Sequence, residues 1–126
     1  PQESAPRLAL IDLHLRLGQP ELANTETEDF LKVLDASRKP AKANQFLDDL
    51  LKDHPENTLL QKTMTAYYLR HNAGSKAVQK LDALAERLLS EGNKEGSLAA
   101  IQSIIALNPV SAPEYQRLYA QISTSA

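Results

Sequence analysis

The feature that most restricts this chain is a residue pattern that returns after 54 positions. Pro55 and Pro109 each close an apolar-periodic segment, and they define that offset (109 − 55). At the same offset Leu10 meets Met64, Leu13 meets Tyr67, Arg16 meets Arg70, Ala23 meets Ala77 and Leu34 meets Leu88. Further along, Leu47 meets Ile101, Leu50 meets Ile104 and Leu51 meets Ile105. Apolar positions fall on apolar positions, and loop positions on loop positions. A segment that recurs in this way cannot bury its apolar face alone, so the chain is confined to architectures in which neighbouring units stack.

Within each unit the apolar residues are spaced by three and four, which is the period of helices and not of strands. Turn residues divide the chain into seven helices. The first runs from about 5 to 17 and stops at Gly18-Gln19-Pro20; the second runs from about 21 to 36. The third starts near Pro40, where proline is tolerated at a first helical turn, and ends before His54-Pro55. The fourth covers about 57 to 71, and the fifth about 76 to 90 with Ser75 expected as its N-cap. The sixth ends at Leu107, and the seventh runs from about 111 to 122, where it frays. Connections of two to five residues make consecutive helices antiparallel neighbours. The expected fold is all-α: two three-helix units, about 4–56 and 57–110, plus a final helix of about 111–122. All of it forms one helical-repeat domain of 1–126.

Composition narrows what such a stack can do. Basic and acidic side chains number 14 and 16, so the basic excess that neutralises nucleic-acid phosphates is missing. The chain has no cysteine, which removes disulfides, thiolate chemistry and cysteine-based zinc sites. That leaves compartment open between cytoplasm, slightly favoured, and periplasm. No apolar run approaches the roughly 20 residues of a membrane span. The sequence opens on Pro1 without an initiator methionine and reads as a piece of a longer or processed protein.

Several stretches resemble tetratricopeptide repeats. From Gly92 to Ile101, and on through Ala106-Leu107-Asn108-Pro109, the chain is similar to the second helix of that motif. Ser97 holds the place of its small packing residue and Pro109 that of its closing proline. Ala43, Leu47 and Pro55 repeat the pattern, and Leu15 to Ala23 is similar to the turn between the motif's helices, with Gly18 in place. Tyr68 to Ala77 follows the same template with Asn72 at the glycine position. The resemblance implies a right-handed α-solenoid that binds a protein or peptide along its first helices. Carried over by position, that face takes Asp12, Arg16, Lys62 and Arg70. The positions of the family's chaperone-tail clamp hold Leu8, Asp12, Lys62, Ala66, Ala83 and Arg117, so binding of a chaperone tail is not expected.

Chemistry-bearing residues are sparse. His54 and His71 stand at helix C-terminal ends, where a donor meets free carbonyls, and His14 occupies a place that resembles the repeat family's aromatic packing site, which implies a half-buried packing residue. Asp48 and Asp49 are sequence neighbours, and neighbours on a helix point to different sides. Arg38-Lys39-Pro40-Ala41-Lys42 is the densest basic stretch and follows a helix C-terminus. Arg16 and Arg70 recur in register, as helix caps or as paired contacts for an acidic segment. Tyr115 and Tyr119 share one face of the last helix, for core packing or for an end surface. The expected function is a non-catalytic protein–protein interaction module without cofactor or metal. The alternative is a structural or self-assembly domain that packs on its own chain, or on a second copy through its last helix.

Overall fold

A computed structural model of the chain describes residues 4–124 and places seven α-helices among them, with no strand. They are α1 (Ser4–Arg16), α2 (Pro20–Ala36), α3 (Pro40–Asp53), α4 (Thr58–Arg70), α5 (Gly74–Ser90), α6 (Lys94–Ala106) and α7 (Ala112–Thr124). Helices α1, α4 and α7 are equal in length and start at 4, 58 and 112, a step of 54 each time (58 − 4 and 112 − 58). Helices α2 and α5 are the longest pair, also equal to each other, and start at 20 and 74, the same step.

The turns explain why the boundaries recur. Each of α1, α2, α4 and α5 ends with one residue in the left-handed region: Gly18, Arg38, Asn72 and Gly92. At each end the next residue donates its N–H back across the last turn, Gln19 to His14, Lys39 to Leu34, Ala73 to Tyr68 and Asn93 to Leu88, at 2.8–3.0 Å. The left-handed residue itself donates to the carbonyl three positions back. This pair of bonds is the Schellman closure, which satisfies carbonyls a helix otherwise leaves open. The residue that completes it also serves as the N-cap of the following helix, which keeps each of these connections short. That geometry displaces the expected cap at Ser75: Ala73 takes the N-cap position and α5 begins at Gly74. Helix α3 closes differently because Pro55 sits directly after its C-cap His54, and proline cannot adopt a left-handed φ. At the far end α7 continues to Thr124, past the expected fraying point at Ile122.

The chain divides into two compact units between Thr63 and Met64, within α4. In the first, α1 packs on α2 and touches α3, and α2 packs on α3. Its core joins Ile11, Phe30, Leu31, Phe46, Leu47 and Leu50, all buried. Phe30 and Phe46 meet edge to face at 4.7 Å, the favoured geometry for two aromatic quadrupoles. Thr27, also buried, returns its hydroxyl to the Ala23 carbonyl at 2.9 Å and so carries no unpaired donor into the core.

In the second unit α5 packs on α6 and α6 on α7. Leu81, Leu88, Ile101 and Ile104 are buried there. Ala77 and Ser97 are fully buried, and the Ser97 hydroxyl donates to the Ala85 carbonyl at 2.8 Å, tying α6 to α5. Residues this small let two helix backbones approach closely. Leu47, Leu50, Ile101 and Ile104 are each 2% exposed or less.

Candidate functional site

The functional residues expected from sequence fall into three local settings. The first lies where α1 meets the C-terminal end of α3. Asp12 projects from α1 one turn before Arg16, and its carboxylate takes Arg16 Nε at 2.7 Å. The other Asp12 oxygen faces His54 Nε2 at 3.2 Å, which brings in a residue distant in sequence. Arg16 is therefore committed to a side-chain carboxylate and not to the helix-end carbonyls, and its side chain is still 77% exposed. Two open depressions flank this group. One, of about 650 Å³, is lined by Leu8, Ala9, Asp12, Arg16, Asp53 and His54. The other, of about 420 Å³, is lined by Leu15, Arg16, Gly18, Pro20, His54, Glu56 and Asn57. Arg16 and His54 border both.

The second setting is α4. Lys62 is exposed and belongs to the first unit, whereas Arg70 is exposed and belongs to the second. The Arg70 guanidinium stands 5.9 Å from the Tyr67 ring, and the His71 ring lies 4.4 Å from the same tyrosine. Position 66 is alanine, so Arg70 lacks the carboxylate that Arg16 finds one turn back. The two arginines match in sequence position but differ in environment.

The third setting is α7. Tyr115 and Tyr119 pack, partly buried, against a cluster of Ala85, Ala100, Ile101 and Ile122. Tyr115 donates its hydroxyl to Asp82 of α5 at 3.0 Å. Burial, that bond, and the negative charges of Asp82, Glu114 and Glu86 all raise its pKa above the usual value near 10.

Sequence reasoning misses two features. The Asp12–His54 contact joins residues too far apart for any local rule to find. The second is a stripe of exposed leucines on α1, Leu10, Leu13 and Leu17, at three- and four-residue spacing. That spacing is open to inspection, but a second series, Leu8, Ile11 and Leu15, has the same period on the opposite side. Among the described residues no group of three or more histidine, aspartate or glutamate side chains gathers as a metal site. None of the described helices is long and apolar enough to cross a membrane. Compared with known protein families, with characterised proteins and with solved structures, the chain matches none.

Proposed function

We propose that this chain is a helical-repeat interaction module of tetratricopeptide type, which presents the surface around Asp12, Arg16 and His54 to a protein partner. The finer architecture in this proposal is a right-handed α-solenoid of two three-helix units in tandem, followed by α7. One observation carries it: three helices of equal length begin at 4, 58 and 112, with matching closures between them. Chains built from recurring helical units offer extended surfaces, and polar side chains at fixed intervals give those surfaces specificity. In the first unit Arg16 has ample exposed surface, and its Nε meets the Asp12 carboxylate one turn before. A guanidinium carries five N–H donors, so one engaged through Nε keeps others with which to meet a partner carboxylate.

The test is a photo-reactive benzoylphenylalanine placed at exposed Glu56, which lines the same depression as Arg16 and His54 and leaves both in place, compared with the same group at exposed Lys32 of α2, in extract from the source cells. A discrete protein adduct at position 56, and none at 32, is the expected result. No adduct at either position across repeated extracts would count against the module.

A further inference from the structure

We infer that the turn between α2 and α3 is a second contact surface, one that takes an acidic segment of a partner protein through Arg38, Lys39 and Lys42. The internal recurrence supplies a control. At the 54-residue offset these three positions are Gly92, Asn93 and Gly96. Gly92 adopts the left-handed closure at φ 82° with no β-carbon to strain it, and Asn93 caps α6 by accepting the Gly96 N–H at 2.8 Å. Arg38 holds the same closure at φ 54°, in the region that a β-carbon disfavours. Lys39 is the N-cap of α3, and its side chain makes no capping bond. The other two closures, Gly18-Gln19 and Asn72-Ala73, carry no charge either. Only this turn gives up both the easy conformation and the cap, and at each position a cation stands instead. Costly backbone conformations persist where the side chain serves a contact.

The fold itself makes little use of these cations. The carbonyls that end α2 are taken by main-chain donors: Ser37, Arg38 and Lys39 give their N–H groups to Val33, Asp35 and Leu34, each at 3.0 Å. Helix capping, the ordinary work of basic residues in this place, is already done. Among the described residues Arg38, Lys39 and Lys42 join no ion pair. Asp49, two turns along α3 from Lys42, takes Gln45 Nε2 at 2.9 Å. Arg38 and Lys39 are exposed, and Lys39 and Lys42 border one cleft of about 40 Å³ together with Ser37. Charge selects between occupants. Three cations fall short of the roughly four to eight that hold a protein on anionic lipid headgroups. A nucleic acid asks for a basic excess, and this chain carries a net charge of −2. A short run of carboxylates needs neither, because each can meet one cation through a charge-assisted hydrogen bond.

The probe is a fluorescein-labelled hexaglutamate peptide, titrated with the whole chain in low salt and read by anisotropy. It is expected to bind saturably, and added salt should weaken it, because exposed charges are screened. Arg38→Gly with Lys39→Asn installs the second unit's own residues, and should weaken binding about tenfold or more while raising the melting temperature. That opposite movement separates contact from folding. Lys42→Gln alone should weaken binding in the same direction. Lys32→Gln removes an equal charge from an exposed position about half a turn from Phe30 and Leu34, and should leave binding unchanged. No saturable binding, binding that the double variant keeps, or an equal loss in Lys32→Gln would overturn the inference. So would a phosphatidylserine vesicle or a single-stranded oligonucleotide bound more tightly through the same residues, or a concentration-dependent dimer that the double variant abolishes. Lys39 and His54 cap opposite ends of α3, so failure here leaves the cross-link at position 56 to decide the module by itself.

Discussion

At the scale of single residues, backbone conformation and side-chain identity agree almost everywhere, and Arg38 is the exception. It sits at φ 54° in the Schellman closure after α2, where the matching residue of the second unit is Gly92 at φ 82°. A β-carbon in the left-handed region costs roughly 1–2 kcal/mol, which glycine avoids. Arg38→Gly should therefore raise stability by roughly 0.5–1 kcal/mol, part of the relief being returned to the looser unfolded chain. Gly92→Ala should lower it by about 1 kcal/mol, because no atom lies within 4 Å of the added carbon and only backbone strain acts. Urea midpoints of the two variants, moving in opposite directions, check both. Gly18, Asn72 and Gly92 are legible as closures because their residue types favour that conformation. Arg38 is not, since nothing in an arginine announces a left-handed turn. Arg16 and Arg70 show the converse, a recurrence visible in sequence whose meaning depends on whether Asp12 or Ala66 stands one turn before.

Elements hold together through faces whose spacing is visible in the residues. Leu50 of α3 and Ile104 of α6 are buried at matching places, and truncating either to alanine should cost on the order of 2–5 kcal/mol. A loss below about 0.5 kcal/mol at both, measured by denaturant unfolding, would contradict the packing register. Helix α7 makes a pH-dependent contribution through Tyr115. Its folded pKa is raised, so the stabilisation is complete below the unfolded value near 10 and is lost as pH climbs through the folded value. Ionisation removes the donor to Asp82 and sets two negative charges side by side. Tyr115→Phe should flatten the alkaline limb of a melting-temperature profile while costing about 0.5 kcal/mol at neutral pH, a modest loss because the bond is only part-buried. Proline, glycine and asparagine mark most helix boundaries closely. The start of α5 escapes that reading because Ser75 has the better capping side chain, but the closure of α4 uses Ala73 before Ser75 can act.

Across the whole molecule, the first and last helices differ in kind, α1 with an apolar outward side and α7 with a polar one. Truncation after Asn108 removes α7 and uncovers Ala85, Ala100 and Ile101. The shortened protein should bind a hydrophobic dye and associate in light scattering, as an uncapped repeat does, whereas the full chain should not associate through α7. The helical class and the internal recurrence can be read from residues alone, because both are carried by spacing. Which of the two leucine series on α1 faces inward cannot be read, because only the position of α2 decides it. Helices pack on neighbours in sequence, α1 on α2, α2 on α3, α5 on α6 and α6 on α7. Short sequence separations mean short loops to close, so such a chain folds quickly and in segments. During synthesis, α1, α2 and α3 can settle together while the ribosome is still adding α5, and half-made chains spend little time exposed to misassembly.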